Sequence, residues 1–133
     1  MILRAIEDRM HTSRNEGVAL TRPLSVEHLL PQNGTLADYP FAATMPLETG
    51  ETPDRCRVRL INTIGNLTLL TQELNSSISN GPFIDKSKAI AADSDLRLNA
   101  WLRPGPKSAW SEESILSRGK ELFQTAIQVW GHP

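Results

Sequence analysis

Two short stretches of this chain carry side chains that could do chemistry together. The first is Glu27-His28-Leu29-Leu30-Pro31-Gln32, and the second runs from Gly65-Asn66-Leu67-Thr68-Leu69-Leu70 to Leu74-Asn75. Together they supply a carboxylate, an imidazole and two carboxamides, each at the edge of an apolar run that can hold it in a fixed direction. A hard divalent cation such as Mg²⁺ takes oxygen ligands in octahedral geometry and keeps several waters. One Glu oxygen and one Asn oxygen therefore suffice when phosphate oxygens complete the shell. An imidazole, with an ordinary pKa of about 6.5, can take a proton from water near neutral pH. Carboxylate, amide and imidazole at this spacing are the parts of a metal-assisted phosphodiester hydrolase.

The elements that must position these groups are legible in outline. Leu24 to Leu30 reads as a short strand ended by Pro31, with Val26, His28 and Leu30 on one face and Glu27 and Leu29 on the other. For Glu27 and His28 to share a site, that strand must bend or end near them. Asn66 to Leu70 reads as a second strand leading into Gln72-Glu73-Leu74-Asn75. Ahead of the first strand, Ile2, Leu3, Ile6 and Met10 fall on one helical stripe within residues 1–14. That helix starts without a capping residue, as though cut from a longer chain. Gly17 and Pro23 bracket the connection to the strand. Residues 32–53 hold Pro40, Pro46, Gly34 and Gly50 without sustained period, which predicts a long loop with a helical turn near Leu36 to Tyr39.

Asp54 reads as the N-cap of a helix through Val58, Leu60 and Ile61 that stops near Gly65. Ser76 to Gly81 is a polar break, and Pro82 opens a helix whose core side is Phe83, Ile84, Ser87, Ile90 and Ala91. Asp93 to Leu102 continues it until Pro104-Gly105-Pro106. Ser111, with Glu112 and Glu113 after it, caps a last helix stopped by Gly131 and Pro133. Its buried stripe is Ile115, Leu122, Ala126 and Trp130, with Leu116, Phe123 and Ile127 alongside, and Trp110 and Trp130 are expected to clamp its two ends.

At 133 residues with 39% hydrophobic and 22% charged content, residues 1–133 fit one soluble α+β domain, mostly helical. No apolar run approaches the roughly 18 residues of a membrane span and no signal peptide opens the chain, which predicts a cytoplasmic protein. The lone Cys56 excludes an internal disulfide and a Cys-built zinc clip, and reads as a small packed residue. A net charge of −1 gives little general attraction for a polyanion, so local charge must serve. The candidates are Lys86, Lys88, Arg97, Arg103 and Lys107, and separately Arg55, Arg57 and Arg59. Asp38 to Asp54 is acidic without a base and should face away from a polyanion. Taken alone, each charged run reads better as a solvated face. The bland alternative is that Asn66 and Asn75 are turn and cap residues and His28 a satisfied core histidine.

The combination resembles an HNH nuclease. That pattern is an acidic residue and His before a hydrophobic-hydrophobic-Pro step, an Asn opening a second strand, and a His or Asn where that strand meets a helix. Here Glu27-His28-Leu29-Leu30-Pro31, Asn66 and Asn75, nine residues on, occupy those places. More closely, the chain is similar to the HNH-type C-terminal domain of GmrSD-like restriction and phage-defence proteins. The similarity continues through Ser79-Asn80-Gly81-Pro82-Phe83, Lys86, Trp110, Ile115, Arg118, Leu122 and Trp130. Glu27 stands where many HNH enzymes carry Asp or His, and the His28–Asn66 interval is long.

The resemblance implies a ββα-metal (HNH) core with flanking helices and a Mg²⁺- or Mn²⁺-dependent DNA endonuclease that nicks. His28 would be the general base and Asn66 would orient His28 or brace the loop. Glu27 and Asn75 would hold the metal, while Lys86, Lys88 and Arg118 would contact the DNA. It also implies an N-terminal sensing and NTP-binding domain as partner, this chain being the excised cutting part. The competing expectation is a catalytically inactive DNA-binding or protein-interaction module that kept the fold.

Overall fold

A computed structural model describes residues 2–10, 23–42, 44–78, 82–105, 107 and 109–131. The connection around Gly17, the break at Ser79-Asn80-Gly81, and Pro106 and Pro133 lie outside the described residues. Two strands form the only sheet found among them. β1 (Leu24–His28) pairs antiparallel with β2 (Leu67–Thr71), in the register Leu24 to Thr71 and His28 to Leu67. Residues directly opposite share a face. Leu24, Val26 and His28 therefore lie with Leu67, Leu69 and Thr71, whereas Ser25 and Glu27 lie with Leu70 and Thr68.

The sheet divides the core. On the first face, Leu69 packs with Leu3 and Ile6 of helix α1 (Ile2–Met10) and with Leu96, Leu98 and Leu122. On the second, Leu70 joins Leu29, Leu30, Cys56, Leu60, Leu74, Phe83, Ile90, Leu102, Trp110 and Ile115. The helices behind these contacts are α2 (Pro53–Leu60), α3 (Gln72–Ser77), α4 (Phe83–Asp93) and α5 (Glu112–Trp130). α3 follows β2 without a loop, because Thr71 ends the strand and accepts from the Leu74 amide as N-cap.

Several local expectations change. The cap of α2 is Thr52, whose hydroxyl accepts from the Arg55 amide, not Asp54; Pro53 fills the first helical position and Asp54 sits in the first turn. Asn66 belongs to a 3₁₀ turn, Ile64–Asn66, and the strand begins after it. The helix from Phe83 stops at Asp93, and Arg97–Leu102 is a separate 3₁₀ segment. The cause is Glu7 of α1: its fully buried carboxylate accepts from the Arg97 and Leu98 amides, both at 2.8 Å, and so starts a new turn there. Ser111 does cap α5, in a capping box with Ser114. Trp110 packs in the core, stacked on Phe83 and tilted against Trp101. Trp130 does not clamp the far end: it is 57% exposed, like Phe123, because α5 outruns the core.

The turn Ile64–Asn66 is pressed onto α5. A Cβ added at Gly65 would lie 1.9 Å from the Ile115 carbonyl oxygen, so only glycine lets the two backbones approach this closely. Burial holds the Cys56 thiol above its ordinary pKa, as suits a packed core residue.

Candidate functional site

β1 ends at His28, and the end of the strand brings Glu27 and His28 to one place despite their opposite faces. Both line an open cleft of about 460 Å³ with Pro31, Gln32 and Asn33. The turn that follows is set by Asn66. Its backbone carbonyl accepts from the Leu29 amide, and its side chain spends all its capacity on neighbours. Asn66 Oδ1 accepts from the Leu30 amide (2.8 Å) and Trp110 Nε1 (3.0 Å), while Nδ2 donates to the carbonyls of Leu30 (3.0 Å) and Ile61 (2.9 Å). Asn66 is fully buried, and these bonds brace the loop; none of them, among the described residues, reaches the His28 side chain.

The imidazole is held instead by Asn62, which the sequence did not single out. His28 Nε2 lies 2.9 Å from Asn62 Oδ1, and Gln32 Nε2 donates to the same oxygen at 3.3 Å. Two donors on one oxygen fit a carbonyl, an arrangement that matches the tautomer in which Nε2 is the donor. No periodicity marked Asn62, since it follows α2 in a polar turn where an asparagine is ordinary.

Glu27 is paired. Lys86 Nζ, on α4, donates to Glu27 Oε1 at 2.8 Å and to the His28 carbonyl at 2.9 Å; the lysine side chain is 1% exposed and that of Glu27 19%. Lys86 therefore orients the carboxylate from behind and is not a surface contact for a phosphate. Oε2 of Glu27 accepts no hydrogen bond among the described residues. Burial, followed by the carboxylates of Asp38 and Glu27, pushes the nearby Tyr39 hydroxyl above the usual tyrosine range.

Asn75 of α3 lies over the face that carries Glu27, but its amide donates to Ser25 Oγ at 2.7 Å. Ser25 and Glu27 are two residues apart along the strand, about 6.7 Å. The Asn75 carbonyl oxygen stays uncommitted among the described residues. Glu27 Oε2 and Asn75 Oδ1 are hard oxygen donors suited to Mg²⁺ or Mn²⁺, and they are few. Among the described residues no three His, Cys, Asp or Glu side chains gather as a metal cluster.

The expected DNA contacts do not converge. Lys88 is exposed on α4, two residues from Lys86 and hence on the opposite side of the helix. Arg118 is buried on α5, where Nη1 donates to the carbonyls of Ile64, Gly65 and Leu67, the last at 2.7 Å. The arginine cluster on α2 is also mostly spent. Arg57 is buried against Glu112, and Arg59 holds both oxygens of Glu51 at 2.9 Å, leaving Arg55 exposed. Arg59 also neutralises part of the acidic segment before it, through Glu48 as well as Glu51.

A strand pair followed at once by a helix carries a histidine, a carboxylate and asparagines around the strand end. The chain belongs to the family of C-terminal domains of GmrSD restriction endonucleases, whose family model matches residues 1–125. No curated protein and no solved structure matches the chain. Among the described residues, no helix is long and apolar enough to cross a membrane.

Proposed function

We propose that this domain is a divalent-metal-dependent DNA endonuclease of the HNH type, its core β1, β2 and α3 being a ββα-metal unit. The observation that carries the reading is the His28–Asn62 contact beside Glu27 in one cleft. In this reading Asn62 holds the ring and Nδ1, which makes no hydrogen bond among the described residues, serves as the base. Nδ1 takes a proton from a water as that water attacks phosphorus in line with the leaving 3′ oxygen. Lys86 holds one oxygen of Glu27 and leaves the other for Mg²⁺ or Mn²⁺, which Asn75 would share after turning from Ser25. When bound, such an ion stabilises the charge growing on the phosphate and leaving oxygen. Asn66 keeps the loop after His28 in place. One such site cuts one strand, so nicking is the expected product. DNA affinity beyond this nearly neutral domain falls to the N-terminal sensing partner that the resemblance implies.

The Glu27–Lys86 ion pair also favours a second reading, a non-catalytic DNA-binding or interaction module in which the carboxylate is permanently neutralised. Titration of nicking rate with Mg²⁺ and Mn²⁺ separates the two. Glu27→Ala and Asn75→Ala should lose activity that higher metal partly restores, whereas His28→Ala should not be restored, because no ion replaces a missing base. Wild-type metal dependence in the Glu27 and Asn75 variants overturns their assignment to the metal, and no cleavage by the wild type with either ion refutes the nuclease reading.

A further inference from the structure

Away from the cleft, a second cavity of about 330 Å³ opens between α5 and the 3₁₀ segment Arg97–Leu102, and Trp101, Lys107, Trp110, Ser114, Ser117 and Arg118 line it. Two of these carry buried donors without a partner among the described residues. Arg118 Nε and Trp101 Nε1 make no hydrogen bond there, whereas Nη1 donates to the carbonyls of Ile64, Gly65 and Leu67 and Nη2 reaches that of Leu98 only at 3.5 Å. Arg118 is 6% exposed and its guanidinium sits 5.8 Å over the Trp101 ring. Among the described residues no carboxylate forms an ion pair with it. Burial lowers its pKa to about 10, with Glu121 at the cavity edge partly opposing that, so it remains a cation at neutral pH.

A buried cation and an indole N–H, both left with a donor, are costly unless an acceptor arrives. Lys107 at the rim adds a second positive charge against the single Glu121, and the hydroxyl of Ser117 adds a further donor. The walls are indole rings, which stack on any flat aromatic group. The volume exceeds what an inorganic oxyanion fills and falls within the range of small-ligand sites. We infer that this cavity binds one nucleotide unit of a nucleic-acid strand, its phosphate on Lys107 and, after a side-chain shift that uncovers them, on the buried Arg118 Nε and Trp101 Nε1, and its base against the tryptophans. The inference rests on the reading of the domain as a nucleic-acid enzyme and gives that enzyme a strand contact outside the cleft. The cavity is also joined to the cleft, since Trp110 Nε1 donates to Asn66, the brace behind His28.

The test uses the intact chain without divalent metal, reading the indole N–H resonances by nitrogen-15 NMR. The probes are deoxyadenosine monophosphate, inorganic phosphate, deoxyadenosine and a tetradeoxyadenylate. The expected result is a saturable shift of the Trp101 resonance, with that of Trp130 unmoved. The mononucleotide should bind more tightly than phosphate or nucleoside, and the oligonucleotide at least as tightly as the mononucleotide. Trp101→Phe, which keeps the ring and removes the donor, and Lys107→Ala, at an exposed position, should each weaken binding by about tenfold, the scale of a lost charge-assisted hydrogen bond. No Trp101 shift, wild-type affinity in both variants, or phosphate or nucleoside binding as well as the mononucleotide would overturn the nucleotide assignment. Rejection of the oligonucleotide would overturn its assignment to a strand. None of these readouts involves cleavage, so failure here leaves the nicking result of the His28 variant to judge the nuclease reading independently.

Discussion

Replacing Asn66 by alanine removes the group that ties three segments together at the site. Four partners lose their hydrogen bonds: the amide and carbonyl of Leu30, the carbonyl of Ile61 and Trp110 Nε1. Asn66 is 0% exposed, so water does not readily take its place. An orphaned buried polar group costs about 1–3 kcal/mol, and relaxation of the loop recovers some of that, so the loss should be about 4 kcal/mol. Unfolding entropy near 60 °C is about 2.1 cal/mol/K per residue, or about 0.28 kcal/mol/K for this chain, which converts the loss to a fall in Tm of about 14 °C. Asn66→Asp keeps an acceptor for Leu30 and Trp110 but turns a carboxylate toward two carbonyls, and should be no better. Thermal unfolding followed by circular dichroism measures both. A fall of less than about 3 °C in Asn66→Ala would place it among ordinary surface substitutions and refute the brace.

Gly65→Ala should destabilise by about 3 kcal/mol or more, because its Cβ meets the Ile115 carbonyl at 1.9 Å, while Gly119→Ala on α5, whose Cβ would lie 3.6 Å from Gly65, should be neutral or stabilising; equal denaturation midpoints would contradict this packing. Asn62→Ala should cut nicking by about tenfold to a hundredfold with Tm nearly unchanged, since it orients an exposed-edge imidazole and supports no core; wild-type rates would remove it from the site. Arg59 holds the Glu51 carboxyl down to about pKa 2, from an ordinary value of 4.5. A depressed carboxyl contributes its stability above the ordinary pKa, so that contribution is present above about pH 4.5 and is lost as pH falls toward 2. The gap in Tm between wild type and Glu51→Gln should close over that window, and a gap constant with pH would contradict the pairing.

Much of the site was legible because its residues sit where apolar runs end. Glu27-His28 before Leu29-Leu30-Pro31 marks the end of a strand, and Asn66 before Leu67-Thr68-Leu69-Leu70 marks the start of its partner. The helices α1, α4 and α5 were likewise legible from their apolar stripes and from the Ser111 cap. What the sequence hid are long-range partners. Lys86 reads as a surface lysine in a helical period, yet it is buried because Glu27 and the His28 carbonyl, 59 and 58 positions away, compensate its charge. Arg57 and Arg118 read as charge available to a polyanion, but Glu112 and a set of backbone carbonyls consume them. Glu7 breaks the helical pattern after Asp93 from the far end of the chain. Trp130 carries a helical period past the core, where nothing remains to cover it.

The central claim is that His28, with its ring fixed by Asn62, is the base of a metal-dependent cut in DNA. It is tested most directly by incubating supercoiled plasmid with the purified chain and Mg²⁺ or Mn²⁺, beside the His28→Ala variant at matched folded fraction. The expected result is open-circular product from the wild type, none on adding a chelator, and loss of at least about a hundredfold in His28→Ala with an unchanged circular dichroism spectrum and Tm. Nicking by His28→Ala within a few-fold of wild type would contradict it.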